Sequence, residues 1–269
     1  MDTTLQNKLK KFYSLLEPYN RIALAFSGGV DSTLLLHLIR QMKTKEITPI
    51  AVFGSMMPEE EQRDCFEICK NFNVNLQTLH FEPLNLEPFK ENHPDRCYHC
   101  KHAIFSLIKE HAEKIGADVV VDGTNVDDFD DYRPGLRALE ELDILSPFVH
   151  SGMTKGDIYA LSRYDNLPTA TKPAMACLAS RIPTGSPITS AKLAAVAKGE
   201  AFLSDLGLKQ YRLRHLEDTC RIECDESDFE RIMQDRQSII DYLQGLGFKQ
   251  VHLDLMGYQR GAMNQIDQN

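Results

Sequence analysis

A hexapeptide, Ser27-Gly-Gly-Val-Asp-Ser32, lies where an apolar run ends and an amphipathic pattern begins, and that junction restricts the possible folds more than any other stretch. Ile22 to Phe26 reads as a buried strand, while Leu34, Leu35, Leu38 and Ile39 give the segment Ser32 to Met42 one apolar helical stripe. A glycine pair between strand and helix lets the backbone come close to an anion. The helix start adds unpaired N–H groups and the positive end of its dipole. Ser27, Gly28, Gly29 and Ser32 are therefore candidate phosphate-binding residues, and Asp31 is a candidate ligand for Mg2+ beside the phosphates. The plain alternative is a capped strand-to-helix turn. No Gly-Lys-Ser or Gly-Lys-Thr follows, so this loop lacks the lysine of a Walker-type site.

The rest of the first half keeps the same alternation. Strand candidates Pro49 to Phe53, Leu76 to His80, Val119 to Asp122 and Ile144 to Pro147 are interleaved with helical segments Glu59 to Phe72, His99 to Ile115 and Lys155 to Tyr164. That pattern predicts an α/β fold with a parallel sheet covered by helices. Pro168, Pro173, Pro183, Pro187 and Gly185 punctuate Asn166 to Ile188, which reads as a loop and a domain boundary. Beyond it, helix Ser190 to Leu206, strands Gln210 to Leu216 and Thr219 to Asp225, helix Phe229 to Leu246 and strand Gln250 to Met256 predict a small α+β domain. The expected division is residues 1–185 and residues 186–269.

Composition matters for partners and for thiol chemistry. With 30 basic and 39 acidic residues the formal charge is −9, which argues against a clamp for nucleic acid. No apolar run approaches the ~20 residues that span a bilayer. The first residues lack a basic flank and apolar stretch, so the expected compartment is the reducing cytoplasm, where disulfides do not persist. Of seven cysteines, Cys97 and Cys100 form a Cys-x-x-Cys at a helix start that favours thiolates, with Arg96 and Lys101 adding positive charge. Cys177 stands in the proline-punctuated loop beside Ser180 and Arg181. Three thiolates around one site leave a fourth position open, which suits a [4Fe-4S] cluster with one open iron, or zinc completed by water or histidine. Cys65 and Cys69, with Phe66, Ile68 and Phe72 as neighbours, read as core packing, as do Cys220 and Cys224 flanking Ile222. His99 and His102 read as surface groups or partners of a ligand.

The loop resembles the PP-loop of the ATP pyrophosphatases. Taken with Asp131-Tyr-Arg-Pro-Gly-Leu136, Cys177-Leu-Ala-Ser-Arg-Ile-Pro183, Tyr211-Arg-Leu-Arg214, Arg221-Ile-Glu223 and Leu253-Asp-Leu-Met-Gly-Tyr258, nearly the whole chain is similar to the LarE family. That resemblance implies a Rossmann-like sheet of the adenine nucleotide alpha hydrolase type and an ATP- and Mg2+-dependent sulfur transferase. The enzyme would adenylate a carboxylate of pyridinium-3,5-biscarboxylate mononucleotide, release pyrophosphate and replace AMP with sulfur. In one branch of the family a single cysteine is sacrificed as the sulfur source; in another, three cysteines hold a [4Fe-4S] cluster that carries an extra sulfide. The pattern Cys97, Cys100, Cys177 matches the second branch. The resemblance also implies cofactor or substrate contacts for Gly123, Arg133, Ser180, Arg181, Glu200 and Glu223, and a homo-oligomer, a hexamer; the sulfide donor is left open. Arg212 and Arg214 alternate on one strand and read as a phosphate anchor. Asp127, Asp128, Asp130 and Asp131 read as a solvated loop before a divalent-metal site, with Arg133 and Arg137 following as candidate phosphate contacts. Two rival readings are a PP-loop tRNA thiolase and a non-catalytic iron-sulfur redox sensor that binds nucleotide.

Overall fold

The computed structural model describes residues 3–129, 135–172 and 176–259. The chain packs into two compact units: Met1–Glu82 with Asp95–Met175, and Pro83–Pro94 with Ala176–Asn269. In the first, α1 (Thr3–Leu16), β1 (Arg21–Ala25), α2 (Val30–Gln41), β2 (Glu46–Phe53), α3 (Glu59–Asn71) and β3 (Gln77–His80) follow one another. After an excursion through the second unit, which contributes α4 (Glu87–Lys90), the chain returns as α5 (Arg96–Lys114), β4 (Val119–Val121), α6 (Gly135–Glu141), α7 (Pro147–Ser151) and α8 (Lys155–Tyr164).

The four strands are parallel in the order β3-β2-β1-β4. Side chains alternate across the sheet, so Ile22, Leu24 and Val121 join one apolar layer with Phe12, Leu34, Ile39 and Ile158. Ala23, Ile50 and Val120 join another with Phe105, Ile108 and Leu139. Both faces of the sheet are therefore covered, as the continuous apolar strands require. Ile144 to Pro147 does not form the expected fifth strand. Among the described residues its one ladder contact is a parallel bridge, Val121 to Leu145, because Pro147 has no N–H to donate and instead opens α7. Thr154 caps α8 in a reciprocal box with Asp157. The first helix, not anticipated from the sequence, buries Phe12 and Leu16 completely.

The second unit continues with α9 (Ser190–Asp205), β5 (Tyr211–Leu216), β6 (Thr219–Cys224), α10 (Phe229–Gln234), α11 (Arg236–Gly245) and β7 (Gln250–Leu253). Its sheet runs β5-β6-β7, with an antiparallel hairpin and then a parallel pair. The long helix expected over Phe229 to Leu246 is divided at Asp235, whose φ of −91° and ψ of 10° end one helix and start the next. Gly199 lets α9 lie directly on β5, since a Cβ there would stand 2.2 Å from Leu213 Cδ2. The excursion 83–94 is tied in by buried Asn92, whose Nδ2 donates to the carbonyls of Pro183 at 2.7 Å and Ser186 at 2.9 Å. Arg181 ties the segment after Ala176 to α9 within the second unit.

Candidate active site

In the strand order β3-β2-β1-β4 the chain moves outward from β1 to β3 and then crosses to the other side of β1, so the C-terminal ends of β1 and β4 flank a topological switch point. The glycine loop leaves β1 there, and Asp122-Gly123-Thr124-Asn125 leaves β4. Ser27 Oγ and Ser32 Oγ lie 3.2 Å apart, and Ser32 Oγ donates to the Gly29 carbonyl at 3.3 Å. Gly28 has a φ of +69°, and a Cβ on it would press on Cys65 Sγ at 2.9 Å. A Cβ on Gly123 would come within 3.0 Å of both Asp31 Cβ and Ser32 N. These glycines let two loops and the start of α2 meet around a cavity of about 450 Å3. Its lining is polar at Ser27, Asp31, Ser32, Thr124 and Asp128 and apolar at Ile50, Val52, Ile104, Phe105 and Ile108. That size and mixture suit a small ligand with a planar apolar part and an anionic part.

Asp31 is held by residues from distant segments. Lys155 Nζ donates to both its carboxylate oxygens, at 2.7 and 2.5 Å, and Asn125 Nδ2 donates to Oδ1 at 3.3 Å. Burial pushes the Asp31 carboxyl above its ordinary range and outweighs the Lys155 ammonium, which acts in the opposite direction. Asp122 accepts from Ser146 Oγ at 2.5 Å and from the Thr124 hydroxyl. Asp128 accepts from Asn125 N at 3.0 Å, and Asp127 from Lys155 N at 2.9 Å, so this part of the acidic run ties the loop to α8. Asp130, Asp131 and Arg133 lie outside the described residues. Lys155, Asp122, Thr124 and Asn125 were not singled out in the sequence. The one signal that points to the last three is their position just after a parallel strand.

Burial separates the cysteines into two groups. Cys65, Cys69, Cys220 and Cys224 are buried, and desolvation pushes their thiols up, to about 12 for the first three and about 11 for Cys224. Cys97 and Cys177 are exposed and Cys100 is partly so, and no disulfide joins any of the seven. Phe66 departs from its expected place, being half exposed and edge-on to Phe53 at 5.7 Å. Cys97 and Cys100 occupy the first turn of α5, and the same helix lines the cavity from Lys101 onward. Beside them His99 Nε2 meets Asp95 Oδ2 at 3.2 Å, and the Arg137 guanidinium stacks over Tyr98 at 3.7 Å. Cys177 precedes a single 3-10 turn, Leu178–Arg181, in the second unit. Among the described residues, no three His, Cys, Asp or Glu side chains form a metal-holding group.

The second unit buries a cluster of charge. Arg181 is fully buried. Its Nε and Nη2 donate to the two Glu200 oxygens at 2.8 Å each, and its Nη1 donates to the carbonyls of Ala176 and Cys177 and to Ser180 Oγ. This guanidinium therefore shapes the turn that carries Cys177. Arg214 donates twice to Glu223 Oε2, at 2.9 and 2.7 Å, and its Nη1 donates to the Ser180 carbonyl at 3.0 Å. Arg221 reaches the other Glu223 oxygen at 2.9 Å. Arg212 donates to the Tyr211 carbonyl and lies 5.1 Å over the Tyr258 ring. Desolvation lowers its pKa, and nearby Arg181 adds to that. Arg181, Arg212 and Arg214 are thus buried together with Glu200 and Glu223, and pairing offsets the cost of taking these charges out of water.

Residues 1–131 match the family model of a PP-loop domain. A pyridinium-3,5-bisthiocarboxylic acid mononucleotide synthase from Lactiplantibacillus plantarum is 31% identical over 262 residues, spanning 97% of this chain and 95% of that one. A Synechocystis protein of unassigned activity is 32% identical over 265 residues, 97% and 98% of the two chains. One from Methanocaldococcus jannaschii, also unassigned, is 32% identical over 255 residues, 95% and 96%.

Proposed function

The chain belongs to the LarE family, and from that premise we propose that it is an ATP-dependent sulfur transferase acting on a pyridinium dicarboxylate mononucleotide. The observation that carries this reading is the course of α5, which bears two accessible thiols in its first turn and, from the next residue, walls the cavity above the glycine loop. Sulfur chemistry and nucleotide chemistry thus share one helix. In the proposed reaction a substrate carboxylate oxygen attacks the α-phosphorus of ATP, the bond to the bridging oxygen of the β-phosphate breaks, and pyrophosphate leaves. Sulfur then adds to the acyl carbon and AMP departs, giving the thiocarboxylate. The loop N–H groups, the Ser27 and Ser32 hydroxyls and the α2 dipole face the growing charge on the pyrophosphate. The cavity wall carries Asp31, Asp122 and Asp128 against Lys101, so a triphosphate needs a divalent cation to enter, which supports a Mg2+ requirement.

Cys97, Cys100 and Cys177 would hold the [4Fe-4S] cluster, whose remaining iron supplies a place for an extra sulfide when the cluster is bound. Their chemistry suits such a cluster, because these three are the thiols that are not buried. Arg181 and Glu200 keep the Cys177 turn in shape, and Arg212 and Arg214, alternating on β5, are the proposed anchor for the substrate phosphate. Anaerobically prepared protein should be brown, contain iron and labile sulfide, and release pyrophosphate only with the dicarboxylate nucleotide present. Cys97→Ala, Cys100→Ala and Cys177→Ala should each lose colour and sulfur transfer. Iron content unchanged in all three variants would remove the cluster from the proposal, and absence of pyrophosphate release would remove adenylation.

A further inference from the structure

The glycine loop has no lysine of its own, yet one arrives from 124 residues further along the chain. Lys155 is the first residue of α8, and its ammonium bridges both oxygens of Asp31. Its backbone is fixed: the amide donates to Asp127 Oδ2 at 2.9 Å, and the capping box of Thr154 and Asp157 holds the helix start. Only the flexible four-carbon stem and its charged tip are left to move. In this arrangement both Asp31 oxygens are engaged by a monovalent cation, so a divalent cation must compete with the ammonium for that carboxylate. An incoming triphosphate meets Asp31, Asp122 and Asp128 on the cavity wall, and a cation moving toward its oxygens lowers that repulsion.

Resting on the ATP reading above, we propose that Lys155 is a positioning residue that keeps Asp31 closed to divalent cations until nucleotide binds, then moves its ammonium to a phosphate oxygen and leaves Asp31 to the cation. Nucleotide and cation are then positively coupled, and the nucleotide-free protein does not collect metal at Asp31.

The experiment compares the full-length protein with Lys155→Met and Lys155→Gln, both of which keep the Thr154 cap, by electron paramagnetic resonance of Mn2+. One arm uses Mn2+ alone and the other Mn2+ with α,β-methylene-ATP, which cannot release pyrophosphate. Both variants should bind Mn2+ alone about tenfold more tightly than the parent and the Mn2+-nucleotide about tenfold less tightly. If the Met variant does not fold, judged by circular dichroism, the Gln variant carries the comparison. Parental Mn2+ affinity in the nucleotide-free variants, with normal nucleotide binding by the parent, overturns the inference. Tighter Mn2+ with unchanged nucleotide affinity overturns the transfer to phosphate. A parent that binds no nucleotide overturns the ATP reading itself, and the inference falls with it.

Discussion

A cysteine reacts as its thiolate, so the seven thiols of this chain differ in chemistry according to the water around them. At pH 8 an alkylating reagent should label Cys97, Cys100 and Cys177 in the folded, iron-free protein and spare Cys65, Cys69, Cys220 and Cys224. The buried group should be labelled only on denaturation or as the pH nears 11 to 12, where burial has moved their ionisation. The sign follows from linkage. Between the ordinary thiol range near 9 and those raised values the unfolded chain has fewer bound protons than the folded one, so the fold loses stability as pH rises. Peptide mapping by mass spectrometry checks the labelling, and equal modification of all seven at pH 8 would show that burial does not sort them. The residue types for this sorting were readable from the chain: Cys220 and Cys224 alternate with Ile222, and Cys65 and Cys69 share a helix face. What the chain did not disclose is that all three guanidinium nitrogens of Arg181 are engaged by Glu200 and by the turn around Cys177, because that pairing spans 19 positions and exists only once α9 has packed.

At the scale of elements, the strand–loop–helix unit around the glycines was legible because apolar periodicity and glycine placement act locally. Its partner loop was not legible in local pattern, since Gly123, expected only from the family resemblance, matters through contact with the start of α2. Gly123→Ala should therefore reduce pyrophosphate release by about a hundredfold, with helix content unchanged, because the added Cβ displaces Asp31 and Ser32. Gly29→Ala should do much less, its φ being −79° and its nearest obstacle the movable Ser27 hydroxyl at 3.4 Å. Comparable losses in the two variants would count against this steric account. The misreadings are of the same kind. Leu145 has the composition of a strand, but Pro147 ends its ladder after one bridge, and the apolar stripe over Phe229 to Leu246 continues across a break at Asp235 that periodicity does not register.

For the whole molecule, the net charge of −9 bears on the choice between a small acidic substrate and a polynucleotide. The buried arginines lie among glutamates and do not form an exposed basic stripe. Filter binding should accordingly detect no retention of tRNA at physiological salt, and tight, salt-sensitive retention would favour a tRNA thiolase. By itself the sequence determined the α/β class, the phosphate loop and which cysteines are packed away, because periodicity, glycine conformation and side-chain hydrophobicity are properties of neighbouring residues. Tertiary structure alone decided that β4 lies beside β1, that Asp122 to Asn125 and Lys155 meet the glycine loop, and that Arg181 shapes the Cys177 turn. Those contacts join residues up to 124 positions apart, and their energies exist only when packing removes the water between them.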